Sequence, residues 1–143
     1  MVPLRVAADR DPLLDILGHT FARVTVEKGR TLLSFRVGTE EDATLEVASR
    51  AQLTGGADSV PSGTRPFLRQ LKRLRGQPVS DVRYSSGRSI VIAFGKEAEL
   101  HISLREGDFE GDAAASLRVP GAHYVKYHGG GMARLSLHPV EEP

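Results

Sequence analysis

The chain of 143 residues contains no cysteine and no tryptophan, and only 6% of its residues are aromatic. Without cysteine, neither a disulfide framework nor a thiolate metal site can form. Long hydrophobic runs are missing too. Among the longest is Ser89-Ile90-Val91-Ile92-Ala93-Phe94, far short of the roughly 20 apolar residues of a membrane-spanning helix. The opening Met1-Val2-Pro3-Leu4-Arg5 lacks the apolar core of a secretion signal. A cytoplasmic protein with no membrane partner is the expectation. What is present, 40% hydrophobic and 26% charged residues, is ordinary globular composition at single-domain length, and one domain over 1–143 is expected.

A large net charge is absent as well, but the value of +1 conceals a division. Residues 1–63 hold seven Lys/Arg and nine Asp/Glu, and residues 97–143 hold four and eight. Residues 64–96 hold eight Lys/Arg against Asp81 alone. A cationic middle between acidic flanks points to an anionic partner, or to a dipolar protein surface.

The strongest pattern is an internal repeat over about 11–48 and 66–104. Asp11-Pro12-Leu13-Leu14-Asp15-Ile16-Leu17-Gly18 matches Phe67-Leu68-Arg69-Gln70-Leu71-Lys72-Arg73-Leu74-Arg75-Gly76. Phe21–Val26 matches Val79–Tyr84, and the tips Gly29-Arg30 and Gly87-Arg88 correspond, after which the spacing slips by about a residue. Proline near the start and glycine at the end frame a short helix in each copy, with Asp11 as a candidate cap of the first. Leu13, Ile16 and Leu17 share one face of the first helix, as do Phe67, Leu71 and Leu74 of the second. Each helix leads into a hairpin and a third strand, Ala43–Ala48 or Glu99–Leu104. Residues 49–65 read as the loop joining the halves, Glu106–Ala115 as an acidic loop, and 122–138 as a terminal hairpin turned by Gly129-Gly130-Gly131. The predicted class is α+β: a β-rich two-sheet sandwich of about eight antiparallel strands with two short helices.

The run from Pro66 to Tyr84, continuing through Gly87-Arg88-Ser89-Ile90-Val91-Ile92 to His101-Ile102-Ser103-Leu104, resembles the N-terminal β-sandwich domain of formamidopyrimidine-DNA glycosylases. It is also similar to the domain that opens the NFACT proteins of ribosome quality control. The resemblance implies a β-sandwich and a nucleic-acid or ribosomal partner. It does not extend to glycosylase chemistry. Those enzymes attack with a proline at the free N-terminus, whereas Pro3 follows Val2 and has an amide nitrogen, and Leu4 and Arg5 stand where the catalytic glutamate is expected. The Asp-Arg pair of NFACT domains is Gly87-Arg88 here.

From the residues themselves, the basic helix is the foremost candidate site. Arg65, Arg69, Lys72 and Arg73 project within about 100° of one another, opposite Phe67, Leu71 and Leu74. Arg75, Arg83 and Arg88 extend the patch. Such residues suit phosphate oxygens, although an ordinary solvated face has the same pattern. Tyr84 is the only aromatic in the segment that offers a stacking platform. His123 and His128 lie an odd number of residues apart and face opposite sides of a strand, so they cannot chelate together, and no spacing recruits His101 or His138. Ser85 and Ser86 lack a nucleophile pattern, and Glu40-Glu41-Asp42 reads as a solvated tip. No catalytic residue, metal or cofactor is expected. A non-catalytic nucleic-acid-binding or ribosome-associated role is predicted, with a protein-interaction module of accessory or immunity type as the alternative.

Overall fold

In a computed structural model of the chain, residues 12–36, 42–55, 58–96, 98–111, 113–120, 123–129 and 131–135 are described. The expected cap Asp11, the acids Glu40 and Glu41, Ala122 at the start of the last hairpin, and His138 lie outside them.

A 3₁₀ turn, Pro12–Ile16, takes the place of the first expected helix. Three residues per turn eclipse positions three apart, which buries Leu13 and Ile16 together and leaves Leu17 exposed at 40%, off the face on which it was expected. The strands β1 (Thr20–Glu27), β2 (Arg30–Arg36) and β3 (Asp42–Val47) form the first meander. Then come β4 (Ala51–Gly55), β5 (Asp58–Pro61) and the helix α1 (Arg65–Arg73). The second meander is β6 (Val79–Ser85), β7 (Ser89–Phe94) and β8 (Ala98–Ser103), followed by β9 (Ala115–Val119), β10 (His123–His128) and β11 (Gly131–Leu135).

These strands build two antiparallel sheets, one of six strands in the order β1-β2-β3-β9-β10-β11 and one of five in the order β5-β4-β8-β7-β6. The two-sheet sandwich is as expected, but eleven strands are seen among the described residues rather than about eight. β4 and β5 lie in the stretch predicted to be a loop, and β9 opens where the acidic loop was expected to end. Their few alternating residues, such as Ala51 and Leu53, sit among glycine, serine and proline that locally mimic turns. Pairing with β8 and β3 makes them strands.

The two meanders occupy different sheets, and each is extended by strands that follow the other. β9 pairs with β3, while β4 pairs with β8. At the crossing point the halves exchange four backbone hydrogen bonds symmetrically. Gly18 N–H donates to Val79 O (2.7 Å) and Gly76 N–H to Phe21 O (2.8 Å), while Phe21 N–H donates to Gln77 O and Val79 N–H to His19 O, both at 2.9 Å. Thr20 and Pro78 face each other at the centre. The pattern is a pseudo-twofold axis, and it requires positive φ at both glycines: 86° at Gly18 and 93° at Gly76.

Bulges at equivalent places, Ala22 in β1 and Ser80 in β6, interrupt the ladders. Each adds one residue to its strand, so Phe21 and Val24, three apart, both reach the interior, opposite Phe35 and Leu33. This accounts for the loose alternation of these segments in the sequence. The slip in repeat spacing arises at the tips. The first hairpin turns on Lys28-Gly29, both at positive φ, and the second on three residues, with Arg88 N–H donating to Ser85 O. Phe21 lies 5.6 Å from Phe35 and 5.1 Å from Phe94 between ring centroids, and one continuous hydrophobic cluster joins both sheets, the 3₁₀ turn and α1.

Candidate nucleic-acid interface

α1 begins at Thr64, whose Oγ1 accepts from Phe67 N–H at 3.4 Å and donates to Pro61 O at 2.8 Å. This cap satisfies one of the free N–H groups of the first turn. Phe67 and Leu71 are buried on the inner face, and Leu74, just past the last turn, is buried with them. Their burial against β1, β4 and β5 fixes the rotation of the helix. Arg65, Arg69, Lys72 and Arg73 are consequently exposed on the opposite face. Among the described residues none of the four takes part in an ion pair. Lys72 and Arg73 also lie in the last turn, where cations complement the helix dipole.

The outlying arginines behave differently from one another. Arg75 folds back, its Nε donating to Lys72 O at 3.0 Å. Arg83 is held between Asp81 (3.5 Å) and Glu99 (2.9 Å) on the outer face of the five-stranded sheet. Its neighbours there are Val91, directly opposite, and Ala93, so these ion pairs shield apolar residues and leave Arg83 partly neutralised. Tyr84 turns inward, edge-on to Tyr127 of the other sheet at 5.2 Å, and packs against the core rather than offering an open stacking face.

Arg88 lines a cleft of about 720 Å³ at the end of the five-stranded sheet, together with Arg50, Arg105, His101, Ser62 and Asp108. Arg65 lies in a neighbouring cavity beside the start of α1, which shares Arg50, Ser62 and Asp108 with that cleft. The acidic blocks around Arg50 and Arg105 hide both in the sequence; β7–β8 pairing within the second meander brings Arg105 to Arg88, and the strand exchange brings Arg50. In the cleft His101 Nε2 lies 3.2 Å from Glu99 Oε1, and Ser103 Oγ donates to Asp108 Oδ2 at 2.5 Å. Among the described residues no group of three acidic, histidine or cysteine side chains is placed to hold a metal ion.

The corresponding place in the first half is built from Arg30, Glu46, Ser116, Tyr124 and Lys126. Here Arg30 donates to Glu46 in an ion pair. Register makes Glu46, opposite Leu32 and Ser116, the counterpart of His101, opposite Val91 and Gln52. Arg30 is therefore neutralised near the first hairpin tip, whereas Arg88 in the second tip has no ion-pair partner among the described residues. No protein-family model, curated protein or solved structure matches the chain.

Proposed function

We propose that the protein is a non-catalytic nucleic-acid-binding or ribosome-associated domain that engages phosphates through the outer face of α1. The observation that carries the reading is the row of Arg65, Arg69, Lys72 and Arg73, exposed on one helix and unpaired among the described residues. Four cations on one helix face repel one another weakly in salt solution, and a phosphate ladder turns that repulsion into attraction while releasing counterions. The resemblance to the glycosylase and NFACT N-terminal domains supports the same ligand class, with the catalytic groups replaced. Arg75, folded back on Lys72 O, adjoins this surface, Arg88 lies in the separate cleft, and Arg83, already ion-paired, contributes least.

Duplex DNA or RNA affinity should fall steeply with salt, by roughly 0.9 log units per log unit of salt for each phosphate contacted on B-DNA. In fluorescence anisotropy the double variant Arg69→Glu/Arg73→Glu should weaken binding about tenfold or more and flatten the salt slope by about two. Unchanged affinity in that variant removes the helix from the interface.

A second reading, a protein-interaction module, draws on Val26, 49% exposed beside Phe67 and Leu68 in a cavity of about 410 Å³. A nuclease-treated pull-down that recovers one stoichiometric protein, and loses it on Val26→Asp, supports this reading against the first.

A further inference from the structure

We infer that the cleft formed by Arg50, Arg88 and Arg105 is a phosphate-binding site that accepts the phosphoryl group of an organic phosphate, either a free nucleotide or a strand terminus. The inference goes beyond the helix reading and does not depend on it. It starts from how the three arginines are placed. Arg50 directly precedes β4, Arg88 sits in the β6–β7 turn and Arg105 follows β8, three separate parts of the sequence. Their backbones are tied to one another: Ser103 N–H donates to Arg50 O and Leu104 N–H to Arg88 O, both at 2.9 Å, and Arg50 N–H donates to Asp108 O at 3.0 Å. The turn bearing Arg88 is further confined, since a side chain at Gly87 would meet Gly129 O at 3.0 Å. The cations therefore project from a cross-linked frame, with little backbone ordering left for a ligand to impose.

Charge supplies the second argument. Among the described residues, three guanidinium groups line one cavity against a single carboxylate, Asp108, which already accepts from Ser103 Oγ at 2.5 Å. No ion pair involves Arg50, Arg88 or Arg105 among the described residues. At the first hairpin the nearby arginine, Arg30, opens β2 rather than sitting in the turn, and it has a carboxylate partner, Glu46. The lining of the cleft therefore carries an excess of positive charge that a dianion balances. Guanidinium forks favour phosphate oxygens by bidentate geometry, and the cleft's volume of about 720 Å³ falls within the range of small-ligand sites. Gln52, Ser62 and Ser89 add neutral hydrogen-bonding groups along its walls, and His101 adds an imidazole.

The full chain titrated calorimetrically with ADP, and separately with inorganic pyrophosphate, should bind both. Arg50→Gln and Arg105→Gln should each weaken ADP about tenfold or more, the loss of a charged hydrogen bond. Arg69→Glu/Arg73→Glu should leave ADP affinity within about twofold, since those residues lie outside the cleft. A short 5′-phosphorylated oligonucleotide and its dephosphorylated twin separate the sources. A strand terminus gives tighter binding of the phosphorylated form, abolished by Arg105→Gln, whereas a free nucleotide gives ADP binding with no difference between the twins. Binding of neither ADP nor pyrophosphate without preference for the phosphorylated strand, ADP binding indifferent to both glutamine variants, or binding of a glutamate-rich peptide in place of ADP overturns the proposal. The helix reading is judged apart, by the effect of Arg69→Glu/Arg73→Glu on duplex affinity.

Discussion

Residues 20–47 and 79–103 follow the same path: a bulged first strand, a tight glycine turn, a second strand and a third. Their chemistry diverges at the same landmarks. The 3₁₀ turn before the first meander carries Asp15, while α1 before the second carries Arg65, Arg69, Lys72 and Arg73. Arg30, which opens the strand after the first hairpin turn, is paired to Glu46, whereas Arg88, within the second turn, is unpaired among the described residues. Backbone hydrogen bonds and buried side chains have to be preserved in both copies because they close the axis between them. Solvent-facing charge is under no such demand, so one copy can become cationic without disturbing the fold. The contrast is one ground for the proposal that the helix α1 and the cleft beside Arg88 bind anions.

The comparison breaks most severely at the axis. Phe21 is fully buried and touches both Phe35 and Phe94, equivalents in the two halves, so its ring serves both sheets at once. Phe21→Ala should cost about 3–5 kcal/mol in urea unfolding, the usual range for a buried aromatic, and should destabilise both halves in one transition. Two separated transitions would show that the halves do not share the cooperative unit the strand exchange implies.

How much of this was legible beforehand follows from where the information sits. The repeat, the sandwich and the buried Phe67–Leu71 face could be read because glycine turns and apolar periodicity act locally. β4, β5 and β9 could not, since their strand character comes from partners supplied by the other half. Leu17 was placed inside on a 3.6-residue period that a 3₁₀ turn does not have. The face of α1 was legible residue by residue. The cleft was not, because Arg50 meets Arg88 and Arg105 only through the strand exchange, and single arginines at strand ends are too common to single out.

A milder probe tests whether the two axis glycines are equivalent. Both have φ near 90°, and a Cβ at either would meet nothing within 4 Å. The cost of Gly18→Ala and of Gly76→Ala is therefore backbone strain alone, about 1–2 kcal/mol each. Equal losses in denaturant midpoint sharpen the twofold description. A difference much above about 1 kcal/mol, beyond the usual spread of such substitutions, places unequal demands on the two turns and weakens it.

The smallest expected effects come from the tip arginines. Arg30 and Glu46 are about half and one-third exposed, 54% and 33%, so solvent and salt screen their attraction, and Glu46→Gln should cost only about 0.5 kcal/mol. That loss should vanish toward 1 M salt, where the screening length shrinks to about 3 Å. Arg88 has no partner among the described residues to lose. Arg88→Gln should then show no salt-dependent loss of stability, as for an exposed side chain in no network, while weakening ADP. Matched urea titrations of the two variants at low and high salt measure the difference directly. If Arg88→Gln destabilised the fold as much as Glu46→Gln, and with the same salt dependence, the second arginine would be a structural cation like the first, and the divergence between the halves would no longer mark a site.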